Sequence, residues 1–486
     1  MRARLRRGPR DRHEGQQKTG AFFATTPYTR SVTTLTRPTD TDASSAGILD
    51  RPFRMLTVGI VACVLLIAFE AMAVNTAMPV AAKALHGVGL YAFAFTGFFT
   101  SSLLAMVVSG EWCDKRGPMV PLGVGIAVFG AGLVLAGTAT TMWTFVGGRV
   151  TQGFGAGLVI VALYVVVGLR YPERLRPKVF AAFAASWVLP SVIGPLVAGT
   201  VTQHVGWRWV FLSIPVLIVA PLVLMLPQLR GLRGGDAVGE PLDRRRLWLA
   251  LALSVGAGLL QYAGQRLDVW SLPPAVVGAA LLVPAALRLL PRGTFRARRG
   301  LPTVILLRGV AAGAFISAEA FIPLMLVTQH GYSPTFAGLS LAGGGVSWAG
   351  GSWLQGRPWA EPHRLRLVQA GLAAAAVSVA LVALASQPSA PAPLVAAAWA
   401  LGGAGMGLAI ASIGVLMFSL SAPEETGANS ASLQVSDALG NIVCTGLAGV
   451  LFTVLGTGTT SGFTAVFVAM TAFMVVGVAV CGRARS

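Results

Sequence analysis

Three acidic residues lie well inside apolar stretches of this sequence, and they carry its most evident chemistry. Glu70 stands in LLIAFEAMAVNTAMP (65–79), while Glu319 and Asp437 stand in later apolar runs. A carboxylate in hydrocarbon costs several kcal/mol, about 3 by insertion scales. Burial in a low-dielectric medium favours the neutral acid. Such a group can therefore take up a proton on one side of a membrane, cross in the neutral form and release the proton on the other side.

The composition indicates what surrounds these acids. Hydrophobic residues make up 55% of the chain and charged residues 11%, whereas a soluble domain has about 25% charged residues. Mean hydropathy is +0.71, and apolar runs close to the length that crosses a membrane, about 20 residues, recur along the chain. We predict an all-α polytopic membrane protein. The net charge is +19, and the basic residues form short clusters between apolar runs. This pattern marks the cytoplasmic side of a membrane protein and does not indicate a nucleic-acid partner.

The apolar runs predict fourteen membrane-spanning helices. They are placed at 55–80, 91–112, 119–139, 143–169, 178–201, 207–228, 247–265, 269–291, 303–328, 335–356, 367–386, 394–419, 429–455 and 463–481. With this even number, the basic clusters share one side: Lys115–Arg116, Arg170–Lys178, Arg230–Arg246, Arg292–Arg299, Arg357–Arg366 and Arg483–Arg485. Because cytoplasmic loops hold the excess of Lys and Arg, both termini are predicted to be cytoplasmic.

A weak internal repeat divides the chain into two halves. Glu70 and Pro79 in the first half correspond to Glu319 and Pro323 in the second. We predict two pseudo-symmetric six-helix bundles and two linking helices, the plan of many secondary transporters. The predicted segments are a disordered cytoplasmic tail (1–54), an N-terminal half (55–228), cytoplasmic loops with the linking helices (229–302), a C-terminal half (303–481) and a cytoplasmic end (482–486).

Several other classes of site find little support in the sequence. The four cysteines have no metal-ligand spacing and the five histidines lie in the tail or in loops, so no metal site, cofactor or His-based catalytic centre is predicted. No phosphate-binding G-x-x-x-x-G-K-[ST] motif occurs, which argues against a primary pump. A membrane-embedded enzyme is disfavoured, and the repeat argues against a channel or receptor.

The loop after the second span, GEWCDKRGPM (110–119), holds a compact set of charged residues and glycines. Gly110 and Gly117 allow a tight turn and close helix approach. Asp114 and Lys115 are placed to pair with neighbouring groups and so to act as a gating latch on the cytoplasmic side. The alternative is an ordinary charged turn.

The fourth span contains GGRVTQGFGAG (147–157), with Arg149, Gln152 and Gly153. Arg149 is about six residues from the outer boundary, or about 9 Å at 1.5 Å per residue. Glu70 reaches the same depth from the inner end of the first span. An ion pair, direct or through water, would lower the cost of both charges. Alternatively, Arg149 extends to the interface and serves as an anchor.

Two further polar or irregular stretches are candidates for the transport pathway. In LPSVIGPLVAGTV (189–201), Gly194, Pro195 and Gly199 are expected to bend the fifth span and admit a neighbour, and Pro190 is expected to add a second break. The alternative is a purely structural role, since Gly and Pro are common in membrane helices. In SLQVSDALGN (432–441), Gln434 and Asn441 accompany Asp437. These three residues either line the same cavity as the other acids or make helix-packing hydrogen bonds.

Taken in order, these motifs resemble those of the major facilitator superfamily, and within it the fourteen-helix drug:proton antiporters. The resemblance covers roughly 55–481. Its loop motif is matched at Gly110, Asp114, Lys115 and Gly117, its fourth-span motif at Arg149, Gln152 and Gly153, and its antiporter motif at Gly194, Pro195 and Gly199. The chain departs from the family pattern at Pro118, Met119 and Pro190, and Glu70 stands where the family usually has Asp, ahead of Asn75 and Pro79.

The resemblance implies a secondary active transporter that exports hydrophobic or cationic small molecules by alternating access. We expect Glu70 to be the proton and cation site, Arg149 to tune it, and Glu319 to be its counterpart. The expected partners are a small-molecule substrate, protons and membrane lipid. The proton gradient supplies the energy, and the chain is expected to act as a monomer in the plasma (inner) membrane. The alternative is a metabolite or nutrient porter of the same fold.

Overall fold

The computed structural model describes residues 47–172, 174–229, 244–266, 269–387, 389–422 and 425–485. The predicted tail up to residue 46 and the basic stretch 230–243 lie outside the described residues. The described part is helical and holds no β-strand. Its α-helices are α1 Arg54–Ala84, α2 Tyr91–Arg116, α3 Met119–Gly137, α4 Met142–Arg170, α5 Arg176–His204, α6 Arg208–Leu212, α7 Ile214–Leu217, α8 Val219–Leu229, α9 Arg244–Arg266, α10 Leu272–Leu289, α11 Leu301–Thr328, α12 Pro334–Gln355, α13 Arg364–Leu384, α14 Ala392–Ser419, α15 Thr426–Val454 and α16 Thr460–Val480.

These helices confirm the prediction of a polytopic all-α membrane protein. Within the described chain, thirteen helical segments are long and apolar enough to cross a membrane. The predicted span 335–356 corresponds to α12, which has the length of a span but is not among the thirteen. Its sequence, PTFAGLSLAGGGVSWAGGSWLQ, is diluted by glycine and serine, which lowers its hydropathy without shortening the helix.

The sixth predicted span, 207–228, is one apolar segment but not one regular helix. It consists of α6, α7 and α8, which follow one another with single-residue interruptions at Ser213 and Ile218. Pro215 and Pro221 lie just after these interruptions. Because proline lacks an amide hydrogen and its ring clashes with the preceding turn, each interrupts the helical hydrogen-bond ladder. The predicted span is therefore confirmed as one segment, Arg208–Leu229, that is long and apolar enough to cross a membrane, and the structure adds two irregular positions within it.

The two halves repeat the same helix packing. In the first half, α1 packs on α5, and both α2 and α3 pack on α4. In the second half, α11 packs on α15, and both α12 and α13 pack on α14. Glycines permit these close approaches. A side chain at Gly153 of α4 would overlap the Phe98 carbonyl oxygen of α2, and one at Gly407 of α14 would overlap the Trp348 carbonyl oxygen of α12. Equivalent helices thus meet through equivalent contacts.

The halves meet mainly along α5 and α12, from the middle of the bundle to one of its ends. We call the end with residues 115–116, 170–178, 292–299 and 357–366 the basic end. At the other end, Gly199 of α5 lies so close to α12 that a Cβ there would be 2.5 Å from the Thr335 Cα. The buried Tyr91 hydroxyl of α2 donates a 2.6 Å hydrogen bond to the Ala320 carbonyl oxygen of α11. The halves are therefore joined at the end away from the basic loops.

The linking helices occupy a defined place beside this junction. Helix α9 packs against α2 of the first half and α15 of the second, and α10 packs on α9. The Ser254 hydroxyl donates a 3.0 Å hydrogen bond to the Thr100 carbonyl oxygen, and the Thr96 hydroxyl donates to Oε1 of the buried Gln261. The Gln261 amide nitrogen lies against Gly446 of α15. One side chain of α9 therefore contacts both halves.

Candidate functional site

The centre of the N-terminal half holds a buried ion pair. Nη1 of Arg149, in α4, donates a 2.7 Å hydrogen bond to Oε1 of Glu70, in α1. The side chains are 4% and 1% exposed, respectively. Charges so far from water are tolerated only when they are paired. The direct contact agrees with the equal depth predicted for the two residues, and Arg149 is not an interfacial anchor.

Arg149 has two further contacts that hold its guanidinium in place. Nη1 also donates a 2.6 Å hydrogen bond to Oε1 of Gln152, one helical turn later in α4. The guanidinium carbon lies 4.5 Å from the centre of the Phe98 ring of α2, where a cation–π interaction stabilises the charge. Gly153 lets α2 and α4 come close enough for this contact. The fourth-span motif therefore builds the environment of Arg149.

Three buried polar atoms of this cluster have unused hydrogen-bonding capacity. Oε2 of Glu70, Nε of Arg149 and Nε2 of Gln152 have no hydrogen-bond partner within the described residues. Buried polar atoms without partners are uncommon in proteins and call for an explanation. The carboxyl oxygen that is not engaged by Arg149 can accept a proton or a donor group of a ligand.

Glu319, the predicted counterpart of Glu70, is buried in α11 but has different surroundings. It is 8% exposed, and the amide of Asn75, in α1, is placed to donate a hydrogen bond to its carboxylate. No ion pair of Glu319 occurs in the described chain. Glu70 is thus paired within one half, whereas the polar neighbour of Glu319, Asn75, belongs to the other half.

Asp437 does not join the other two acids. Its Oδ1 accepts a 2.8 Å hydrogen bond from Nε of Arg308, in α11. Arg308 precedes Glu319 by eleven residues, about 16 Å along the helix. Arg308 is not among the site residues predicted from the sequence, although it is the one basic residue inside the predicted span 303–328. A single basic residue inside an apolar span is the feature of the sequence that could have marked Arg308 as a candidate functional residue.

The residues predicted beside Asp437 lie in different environments. Gln434 is exposed, whereas Asn441 is 7% exposed and its Oδ1 finds no partner among the described residues. The structure brings neither of them into the Glu70–Arg149 cluster.

The two glycine-containing motifs lie at helix ends and at the junction of the halves. Gly117 ends α2 with φ +76°, a conformation that glycine adopts without strain, whereas the space beside Gly110 is open. Asp114 and Lys115 lie in the last turn of α2. The predicted tight turn is present, and the latch role stays a prediction.

The antiporter motif lies in α5, which runs without interruption through Pro190 and Pro195. The expected break at Pro190 was therefore wrong, because flanking turns of a long membrane helix can absorb a proline. Gly194 contacts Met72 of α1, and Gly199 contacts α12. The motif thus allows α5 to pack closely against both halves.

No group of His, Cys, Asp and Glu suited to a metal ion occurs in the described ranges.

Comparisons with known proteins agree with this architecture. The model of the Major Facilitator Superfamily matches residues 60–388. The chain is 30% identical over 305 residues to "MFS transporter L2" of Phoma sp., covering 57% of this chain and 49% of that protein. It is 26% identical over 291 residues to "Multidrug efflux pump SdrM" of Staphylococcus aureus, covering 58% and 64%. The chain thus spans less than two thirds of these relatives.

A longer match is found in Mycobacterium tuberculosis. The chain is 26% identical over 420 residues to "Probable multidrug-efflux transporter MT1670", covering 81% of this chain and 86% of that protein. Among solved structures, the POT family transporter PepTSo superposes with a TM-score of 0.64 and 16% identity, covering 88% of this chain and 96% of the other. A bacterial homologue of the lysosomal transporter Spinster gives 0.64 at 13% identity, covering 89% and 97%. The chain is a multi-pass membrane protein that belongs to the major facilitator superfamily of transporters.

Proposed function

We propose that this protein is a proton-coupled exporter of hydrophobic or cationic small molecules. The observation that carries the proposal is the buried Glu70–Arg149 pair with its unpartnered carboxyl oxygen. The names of SdrM and MT1670 as multidrug efflux proteins support export as the direction. The basic loops favour the basic end as the cytoplasmic side, with both termini there, and we place the chain in the plasma membrane.

The carboxylate of Glu70 can exchange a proton for a cation. A proton on Oε2 neutralises the acid and weakens its attraction to Arg149, which keeps its contacts with Gln152 and Phe98. When the site opens to a side with fewer protons, the acid releases its proton. The restored carboxylate then attracts Arg149 or a cationic substrate. Proton and substrate therefore compete for one group, which is the requirement for antiport.

The second acid can link protonation to the movement of the halves. Because Asn75 and Glu319 belong to different halves, a change in the charge of Glu319 alters a contact across the junction. The contact lies on the same helix, α11, as Ala320, which accepts the hydrogen bond of Tyr91. Alternating access requires such inter-half contacts to form and break.

The proposal can be tested in vesicles that contain the purified protein. An imposed proton gradient should drive accumulation of a fluorescent cationic dye against its concentration gradient, and a protonophore should abolish it. Glu70→Gln keeps the size of the side chain but cannot exchange a proton, so gradient-driven dye transport should be lost. Glu361→Gln, at an exposed acid outside the bundle, is the matched control and should transport normally.

Normal gradient-driven transport by Glu70→Gln would remove Glu70 from the coupling mechanism. Dye transport that is insensitive to the protonophore in the unmodified protein would contradict proton coupling itself.

A further inference from the structure

A second charged site lies in the C-terminal half, away from the Glu70–Arg149 cluster. Arg308 of α11 and Asp437 of α15 form a 2.8 Å ion pair with side chains that are 20% and 27% exposed. Arg308 is seven residues from the start of α11, or about 10 Å from the basic end. An arginine at this depth has to be explained by a partner or a function, and the proposed proton exchange does not use it.

The ion pair leaves most of the guanidinium unoccupied. Arginine has five N–H donors, and Arg308 uses Nε for Asp437. Among the residues that the structure describes, the two Nη groups have no hydrogen-bond partner, and neither is enclosed. Asp437 therefore fixes the orientation of the guanidinium from its side. The two Nη groups form a fork that can bind a carboxylate through two parallel hydrogen bonds.

An aromatic cluster of the N-terminal half lies within electrostatic range of Arg308. Tyr164 of α4 stacks on Phe180 and Phe183 of α5, with ring centres 5.3 and 5.4 Å away. Tyr164 is 43% and Phe180 37% exposed, whereas Phe183 is buried. Arg308, in the C-terminal half, lies within electrostatic range of the Tyr164 hydroxyl, so the guanidinium and the aromatic cluster lie near each other in different halves. Exposed aromatic faces favour stacking with a planar ring.

We propose that Arg308 and Tyr164 form a binding site for planar aromatic carboxylic acids. The ring of the ligand stacks on Tyr164 and Phe180, and its carboxylate accepts hydrogen bonds from the Nη groups of Arg308. A cationic ligand would have to displace Arg308 from Asp437 and would leave a largely buried guanidinium unpaired, which is costly. An anion instead adds to the existing pair. The inference goes beyond the proposed function, because it assigns a second binding site near the basic end to anions, which the exchange of a proton for a cation at Glu70 does not bind.

The test measures binding without a proton gradient, by calorimetry on the full-length protein in nanodiscs of phosphatidylcholine. The probes are 2-naphthoate, 2-naphthamide, which has the ring without the charge, and cyclohexanecarboxylate, which has the charge without an aromatic ring. We expect 2-naphthoate to bind at least about tenfold more tightly than 2-naphthamide, because hydrogen bonds to charged groups are the stronger ones. Cyclohexanecarboxylate should bind about threefold to tenfold more weakly than 2-naphthoate.

Variants assign these differences to residues. Arg308→Gln should reduce the affinity for 2-naphthoate to that for 2-naphthamide, and Tyr164→Leu should weaken both naphthalene ligands but not cyclohexanecarboxylate. Because Arg308→Gln leaves Asp437 unpaired, the double variant Arg308→Gln/Asp437→Asn provides a neutral pair and should show the same loss. Arg357→Gln is the matched control: that exposed arginine lies 3.9 Å from the Trp353 ring, and its loss should change nothing.

Equal binding of 2-naphthoate by the unmodified protein and both Arg308 variants would overturn the proposal. Equal affinity for 2-naphthoate and cyclohexanecarboxylate would mean that Arg308 binds anions in general, including lipid phosphate. This result would overturn the proposal that the site selects aromatic carboxylic acids. Because no gradient is present, these results are independent of proton-driven dye transport. Failure of the proposed function and failure of this site are therefore distinguishable.

Discussion

Replacing Glu70 by Gln should destabilise the protein more than replacing Glu70 and Arg149 together. The single change leaves the Arg149 guanidinium, 4% exposed, without a counter-ion. Breaking a buried pair in this way costs about 3–5 kcal/mol. The contacts of Arg149 with Gln152 and with the Phe98 ring remain. We therefore expect a loss near the lower limit, about 3 kcal/mol.

The double variant Glu70→Gln/Arg149→Gln removes both charges and keeps amides that can bond to each other. Replacement of a buried ion pair by neutral groups is often close to neutral, so we expect a loss of about 1 kcal/mol, the value of one or two hydrogen bonds. The double variant should therefore recover about 2 kcal/mol relative to the single variant. A double variant that is more stable than the single variant is expected only if the single variant leaves an unpaired charge in the interior.

Thermal unfolding with a thiol-reactive fluorescent dye suits this measurement, because Cys63, Cys113, Cys444 and Cys481 are all free and buried. The unfolding entropy of a chain of this length is roughly 1 kcal/mol/K, so the single variant should melt about 3 °C lower and the double variant about 1 °C lower. A single variant that melts with the unmodified protein, or a double variant that melts below the single one, would refute the reasoning.

Three further changes test the packing. Gly153→Val should lower the free energy of unfolding by about 1–3 kcal/mol, because the new side chain meets α2. Gly168→Val is the control, since the space beside Gly168 is open. Equal melting temperatures of the two variants would contradict the close approach of α2 and α4. Gly199→Leu should lower dye transport about fivefold or more by separating α5 from α12, and a normal rate in vesicles would count against that junction. Gln261→Leu should lower the melting temperature by about 1 °C through loss of the hydrogen bond to α2, and an unchanged value would mean that the bond does not stabilise the fold.

The sequence predicted the parts of this structure that depend on local composition. Apolar runs gave the spans, and counting residues from the boundaries placed Glu70 and Arg149 at one depth, where they pair. The break of the sixth span depends on the spacing of Pro215 and Pro221, which average hydropathy does not register. Arg308 and Asp437 are separated by 129 residues, and only the packing of α11 on α15 brings them together.

The contact between Asn75 and Glu319 was unpredictable for a different reason. It depends on how one half sits against the other, and a single sequence holds no local signal for that relation. The repeat predicts that Glu70 and Glu319 are equivalent in position, and both acids are buried, in α1 and α11 respectively. It could not reveal that one is neutralised by an arginine of its own half while the other faces an amide of the opposite half.

The position of α9 means that this chain cannot be shortened to a twelve-helix carrier by simple excision of α9 and α10. Thr96 and Gly446 form the walls of a groove shaped for Gln261, and deletion would open that groove to lipid tails. The Thr96 hydroxyl would then face hydrocarbon, and Gly446 would lose the side chain that packs against it. An engineer who wants a minimal version must first redesign α2 and α15, filling the cleft with larger apolar side chains.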